Sequence, residues 1–564
     1  MKNFILTLQY LYREHTSIGK LWQFFRRYYI SHNLKETEKL WNRKKSFALL
    51  EKWKTKKHKK IIIFATKHTI FITELIKNCL NNSKIEYQVY YENYPKKFDD
   101  SLYIIVCPQF FKKFPECYIT FQLEQTVSDR WFSENQIEKL KNALLVLDYS
   151  LDNIKYLSDS LPLSNLYYLP ISATPLKQEE KTYEYDILFY GDTNNDRRKV
   201  YIDKISEHFK VKIINDSFGK DIWEYIQKSR IVLNIHYYEN ALLETTRIYE
   251  CLSNDALIIS EKSSDFDTYA DLKNLVDFID IDNIQAMIDR IYFWLNSPDQ
   301  FNERKNLIKT YNQRSQTQFD FYFQRMLLSL DIIDFDTMYK NTSETFQPQE
   351  FFWCLSLPEY TDRNIEFESE LAKYNKISIF PGLRHQSPWT GCGLSYKYLM
   401  KFAKENHYEN IIICEDDVLF PSDLEQKINN IYSLLNKSNL KWDIFSGHVT
   451  DLTKSSSIHK IGNDNFFSYI NLNKTTGMVF NIYNQSIFDY LALWDYHNKE
   501  LITNAIDRYL ENKRDLQVIT TIPYLVKHKE NIKTTLWNRD NNPFSYDSMT
   551  NSSIQLIEEK INKD

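Results

Sequence analysis

From residue 59 onward, short apolar runs suited to strands alternate with stretches suited to helices. This alternation limits the fold more than any other feature of the 564-residue chain. "KIIIFA" (60–65) reads as a strand and "TIFITELIKNCLNN" as a helix, and "IEYQVYY", "SLYIIVC", "CYITFQLEQ", "LVLDYS" and "NLYYLPI" read as further strands. Strand-helix-strand repetition implies parallel sheets covered on both faces. A second series starts near 183 with "YDILFYGD", "VKIIND", "IVLNIHYY" and "ALIISE", and ends in helices around 284–330. A third follows with "FFWCLSL", "KISIF", "NIIICEDDVLF", "KWDIFSGHV", "GMVFNIY" and "LQVITTIPYLV".

These series divide the chain into a basic aromatic helical segment (1–58), two Rossmann-like halves (59–180 and 181–335), a polar linker (336–350), a further α/β domain (351–545) and a tail (546–564). Residues 1–60 hold 16 Lys and Arg against four Glu, a local charge of +12 in a chain whose net charge is −4. The whole chain therefore carries no nucleic-acid signature. Trp22, Phe24, Phe25, Tyr28 and Tyr29 among these basic residues suit either a peripheral membrane contact or a helical hairpin packed on the next domain. Packing is favoured, because aromatic stripes on helices usually belong to a core. No apolar run approaches the roughly 18 residues of a membrane span, and a cytoplasmic location, peripheral at a membrane at most, is expected. The seven cysteines form no CxxC pair and read as reduced core residues, not as a disulfide framework or a zinc site.

Two stretches carry chemistry. The strand "IIIC" (411–414) runs into Glu415, Asp416 and Asp417. In open α/β sheets ligands bind beyond the carboxyl ends of strands. Alternation along an extended strand would put Glu415 and Asp417 on one side and Asp416 on the other. Two carboxylates on one side suit a hard divalent cation with positions open for a diphosphate. A helix cap or solvated turn ahead of "PSDLEQKI" is the alternative. In "NIHYYENALLETTRIYECLSNDALIIS" (234–260), Arg247 and Glu250 are three apart and share a helix face. An arginine at a helix start can hold a diphosphate, and a carboxylate one turn later can accept from ribose hydroxyls. The alternative here is an intrahelical ion pair. His236 and Glu239 are weaker candidates.

The ordered set "CLSLPEYTDR", "TGCGLSYKYLM", "EDDV", "TGMVFNIY", "AIDRYL" and "PYLVKHKENIKTT" resembles glycosyltransferase family 25, the lipooligosaccharide glycosyltransferases, and GT-A enzymes more broadly, over about residues 350–540. The resemblance implies a nucleotide-sugar site in which Asp417, with Glu415 and His528, holds Mn²⁺ or Mg²⁺. It also places Arg363, Glu415 and Asp416 at the donor, and Asp507 as the general base of an inverting transfer. Asp507 reads equally well as a helix N-terminal acid. His448 could be a donor-site residue or an ordinary loop histidine. The chain departs from the pattern at Ser356, Tyr396, Lys529 and Glu530.

"YDILFYGDTNNDRR", "IVLNIHYYE", "LETTRIYECLSNDALIISE" and "FQLEQ" resemble bacterial GT-B glycosyltransferases over about residues 60–330. That implies donor contacts from Arg247 to the diphosphate, from Glu250 to the ribose and at Gly191, with no metal. The usual pair of glutamates with seven residues between them is not met, and Asn254-Asp255 replaces the usual glycine. The expected fold is thus α/β, a GT-B-like pair of Rossmann-like domains followed by a GT-A-like domain. The expected function is a two-module glycosyltransferase acting on a glycan, lipid-linked or protein acceptor. The alternatives are one active GT-A module beside a degenerate GT-B-like scaffold, and a metal-dependent phosphotransferase.

Overall fold

The computed structural model describes residues 34–127, 131–176, 183–315, 317–344, 351–374, 376–437, 440–529 and 546–562. The chain forms two compact units, Met1–Phe323 and Gln324–Asp564.

Unit 1 holds two parallel sheets. The first contains β1 (Lys60–Phe64), β2 (Glu86–Tyr90), β3 (Leu102–Val106), β4 (Tyr118–Gln122), β5 (Val146–Asp148) and β6 (Leu166–Tyr168), in the order β2-β1-β3-β4-β5-β6. Every residue of β3 and β4 is buried. That explains why β3 reads as a continuous apolar run, since a strand covered on both faces has no polar side to show, while β4 also buries the polar Thr120 and Gln122. The second sheet contains β7 (Tyr185–Tyr190), β8 (Val211–Ile214), β9 (Ser229–Asn234), β10 (Leu257–Glu261) and β11 (Val276–Ile279), in the order β11-β10-β9-β7-β8. All pairings in both sheets are parallel. The expected pair of Rossmann-like halves is therefore present. In each sheet the first and third strands lie side by side, and the strand order reverses between them. That reversal opens a crevice at the carboxyl ends.

Unit 2 is built on a mixed sheet of β12 (Phe352–Ser356), β13 (Ser378–Pro381), β14 (Asn410–Glu415), β16 (Ile444–Ser446), β17 (Ile458–Asn463), β18 (Ser468–Leu472), β19 (Phe480–Asn484) and β20 (Val518–Ile522), in the order β13-β12-β14-β19-β16-β20-β18-β17. β13, β12 and β14 run parallel, and β19 lies antiparallel between β14 and β16. A two-stranded ribbon pairs β15 (Val418–Leu419) with β21 (Lys527–His528). Phe352, Cys354, Ile412, Cys414, Phe445, Phe480, Ile482 and Ile519 form the centre of one apolar core.

Two expectations are corrected. The stretch read as a linker includes a helix, Phe335–Thr342, whose Phe335, Met338, Tyr339 and Thr342 are buried; an apolar face at helical spacing lies within its polar composition. It belongs to unit 2, and the boundary between units falls ahead of it at Phe323. The stretch read as a tail is a helix, Tyr546–Ile561, with Ser553 and Ile557 buried. Its Ser553 Oγ donates to Val449 O at 2.9 Å, and Lys560 Nζ donates to Lys454 O and Ser456 O. In the basic segment, the helix Leu34–Lys54 buries Leu50 and Trp53 and belongs to unit 1. The aromatic residues offered for membrane contact, Trp22 to Tyr29, lie outside the described residues. Among the described residues no helix is long and apolar enough to cross a membrane.

Candidate functional sites

In unit 1 the site lies where β7 and β9 end. Gly191 follows β7 with φ +125°, a conformation that suits glycine. A Cβ there would meet Arg247 Nη2 at 2.7 Å and Arg198 Nη1 at 3.6 Å. Two guanidinium groups therefore converge on the bare backbone of Gly191. Arg247 sits in the first turn of the helix Thr245–Ser253; its Nη1 donates to Asn234 Oδ1 at 2.9 Å, and it lies over the Tyr190 ring. Arg198 sits in the first turn of the helix Asp196–Ser206, which Asn195 caps by accepting from Arg198 N. Its Nε donates to Ile235 O and its Nη1 to Asp192 O, both at 3.0 Å. Its neighbour Arg197 is taken up by Glu261 at the end of β10. Burial, and next the charge of Arg247, pull the Arg198 pKa down to about 10. Two cations crowded in a buried place favour an anion between them.

Glu244 and His236 complete this cluster. His236 Nδ1 lies 2.5 Å from Glu244 Oε2, and Asn234 Nδ2 donates to the same oxygen at 3.0 Å. Burial opposes the charge on both, yet their mutual attraction wins: His236 is raised, while His236, Arg247 and Arg198 hold Glu244 low. Asn234 is thus held by Glu244 and Ser260 while it orients Arg247.

The intrahelical ion pair weighed for Arg247 and Glu250 is not observed. Glu250 Oε1 accepts from Trp223 Nε1 at 2.9 Å and its Oε2 from Tyr190 OH at 3.0 Å, and burial raises its pKa. Glu239 is exposed. Sequence reasoning missed Arg198, Asn234, Tyr190 and Trp223 as members of this cluster. The arginine doublet after a capping Asn, directly beyond a strand, was the available signal for Arg198.

In unit 2, β14 carries buried Ile411–Cys414 and ends at Glu415. Asp416 and Asp417 lie on the turn into β15, so simple strand alternation does not govern them. Pairing of Val418 with His528 brings the late histidine to the acids, and Lys529 N donates to Asp417 O at 2.8 Å. His528 Nε2 lies 3.5 Å from Asp417 Oδ2. Ser356 Oγ donates to Asp416 Oδ2 at 2.7 Å and Arg363 Nε to its Oδ1 at 3.0 Å. Arg363 Nη2 also reaches Asp417 Oδ2 at 3.2 Å. Arg363, expected at the nucleotide, here serves as counter-ion to two of the three acids.

Among the described residues Glu415 makes no ion pair; Cys392 Sγ is 4.0 Å from its Oε1. Burial, followed by the charges of Asp417 and Asp416, pushes its pKa up to about 8. Burial also opposes ionisation of Asp417, but His528 and Arg363 keep its pKa low. Asp507 opens the helix Ile506–Glu511 and its Oδ1 accepts from Arg508 N at 2.8 Å. It is buried enough for its pKa to rise, and it lies within electrostatic reach of Glu415. The structure therefore brings Glu415, Asp417, Asp507 and His528 into one neighbourhood. Among the described residues no three His, Cys, Asp or Glu side chains meet closely enough to hold a metal ion. The donor chemistry nonetheless suits one: Asp417 Oδ1 and His528 Nδ1 are buried with no hydrogen-bond partner.

The glycines of "GCGLS" serve packing. A Cβ on Gly391 would lie 2.7 Å from Leu383 O, and one on Gly393 would meet the Trp494 ring at 2.4 Å. They let the helix Pro388–Glu405 press close, with Cys392 at Glu415.

No protein-family model matches the chain, and no curated protein matches it. Among solved structures, the chain is similar to a sucrose-phosphate synthase from Thermosynechococcus elongatus (10% identity, 49% of this chain and 99% of that one, TM-score 0.34). It is also similar to Alr3699/HepE from Anabaena, solved with UDP and glucose (10% identity, 49% of this chain and 100% of that one, TM-score 0.35). TarM is a third (11% identity, 41% of this chain and 54% of that one, TM-score 0.31). Each likeness spans half of the chain or less, at about a tenth sequence identity.

Proposed function

We propose that the chain is a glycosyltransferase with two donor sites, one in each unit. The observation that carries this reading is the convergence of Arg198 and Arg247 over Gly191, at the reversal of strand order between β7 and β9. That position and charge suit the diphosphate of a nucleoside-diphosphate sugar, with Tyr190, Trp223 and Glu250 beside it for the nucleoside. The site needs no metal, because fixed guanidinium groups stabilise the leaving diphosphate.

Unit 2 is read as a GT-A-like module of the family 25 kind. Asp417, Glu415 and His528 would hold Mn²⁺ or Mg²⁺, whose bound form supplies Lewis-acid neutralisation of a leaving diphosphate. Asp507 takes the proton of an acceptor hydroxyl as that oxygen attacks the anomeric carbon, with inversion; burial, which raises its pKa, suits it to this role. The acceptor class is a glycan, a lipid-linked sugar or a protein.

A second reading, with only unit 2 active, rests on Glu250, whose two oxygens are both engaged inside the protein. Hydrolysis of a panel of UDP- and GDP-sugars by the full chain, with Mn²⁺ and with chelator, separates the two. Two donor activities, one surviving chelation and lost in Arg247→Ala, the other lost in Asp417→Ala, are expected. Turnover only with metal favours the second reading, and no turnover of any donor overturns both.

A further inference from the structure

The helix Tyr546–Ile561 reaches the acid neighbourhood of unit 2 at two points. Tyr546 stacks on His528, with ring centroids 4.4 Å apart and planes at 28°. Thr550 Oγ1 lies 3.3 Å from His448 Nε2. His448 follows β16 at its carboxyl end, is 3% exposed, and packs its ring against Tyr524 at 5.4 Å. The Tyr524 hydroxyl in turn lies 2.7 Å from Ser553 Oγ of the same helix. His448 Nδ1 is buried with no hydrogen-bond partner, as are His528 Nδ1 and Asp417 Oδ1. The charges that act on His448 are those of His528, Asp417 and Asp547. A buried polar atom left unpaired costs free energy in the empty protein. Three of them in one neighbourhood point to a polar ligand that satisfies them.

We infer that the C-terminal helix is a wall of the unit 2 site, and that His448 is a donor-binding residue whose Nδ1–H, fixed by Thr550, meets an oxygen of the nucleotide sugar. In this proposal the Thr550 hydroxyl donates a hydrogen bond to Nε2, one of the two directions that the 3.3 Å contact allows. That makes Nε2 the acceptor of the neutral ring and leaves the proton on Nδ1. Thr550 is a positioning residue and Tyr546 holds the His528 ring. This inference rests on the reading of unit 2 as a metal-dependent transferase.

The test uses the full chain in an Arg247→Ala background, with Mn²⁺ and whichever UDP- or GDP-sugar the unit turns over. His448→Gln keeps an amide near the Nε2 position and removes Nδ1; His448→Asn keeps a donor near Nδ1 and gives up the Thr550 contact. We expect His448→Gln to raise the donor KM about tenfold, as for loss of one hydrogen bond in a closed site. His448→Asn should raise it by less than about threefold. Thr550→Val should raise KM several-fold, with Thr550→Ser restoring the wild-type value and melting temperatures alike in the pair. Half-saturation by Mn²⁺ should stay the same in all of them. Equal KM in His448→Gln and wild type, a Thr550→Ser variant that restores nothing, or a shift confined to Mn²⁺ saturation overturns the inference. If the background protein turns over no donor with Mn²⁺, the reading of unit 2 itself fails and the inference falls with it.

Discussion

At the carboxyl ends of β7 and β9 in unit 1, the charge is carried by guanidinium groups; at the end of β14 in unit 2, it is carried by carboxylates. In the first, Arg198 and Arg247 crowd each other over Gly191, and Glu244, Asn234 and His236 hold them in place. In the second, Glu415 and Asp417 crowd each other, while Arg363 balances Asp416 and part of Asp417. Each excess of like charge is costly to bury. On the proposed function the two costs would be met by opposite ligands, an anion in unit 1 and a cation in unit 2. Under that proposal one diphosphate leaving group would be met in two ways, directly by arginine or through a metal held by acids.

Four experiments break or sharpen this contrast. Asp417→Ala should lower Mn²⁺-dependent donor turnover by about 1000-fold or more and leave metal-independent turnover untouched. Equal loss of both would mean the two sites are not separate. Arg247→Ala should lower the metal-independent activity by about 100-fold with little effect on the Mn²⁺-dependent one. Isothermal titration with UDP and GDP in the presence of chelator checks whether binding is lost with it. Gly191→Ala puts a methyl 2.7 Å from Arg247 Nη2 on a backbone at φ +125°. It should cut the same activity about tenfold through misplacement of the guanidinium. An unaffected variant would show that the close approach at Gly191 is not what orients Arg247.

The fourth experiment concerns stability, not turnover, and marks unit 1. Asp320 accepts from Cys79 Sγ at 2.9 Å, and burial pushes its pKa from 3.8 up to about 6. The native state therefore holds a proton that the unfolded chain has already released between pH 4 and 6. Stability falls as pH rises through that window, by about 3 kcal/mol at about 1.36 kcal/mol per unit. Asp320→Asn should remove this dependence from the unfolding transition of unit 1 and leave that of unit 2 unchanged. Denaturant melts from pH 4 to 7 read it directly.

Much of the fold is legible in the amino-acid order because buried parallel strands announce themselves. β1, β3, β7, β9, β10, β12 and β14 are mainly apolar runs, and the structure places each where those runs lie. β11 and the hairpin of β17 and β18 escaped notice. β17 is mostly exposed, and its sequence "IHKIGN" shows no apolar face, since an edge strand is stabilised by pairing more than by burial. The final helix escaped for a similar reason: "YDSMTNSSIQLIEEKI" is polar over most of its surface, and its docking depends on Ser553, Ile557 and Lys560.

The candidate sites divide in the same way. Arg247, Glu415 and Asp417 stand out locally, because a charged group at a strand end or helix start is conspicuous one turn at a time. Their partners are not local. Arg198 lies 49 positions from Arg247, and Ser356 and Arg363 lie 60 and 53 positions from Asp416. The sequence by itself determined the class of fold, the strand ends at which charge collects, and the sign of that charge. Only the tertiary structure decided which charges are already neutralised and which remain for a ligand. Strand order and the pairing of β15 with β21 set those distances, and electrostatic energy in a buried site depends on distance and burial, not on chain order.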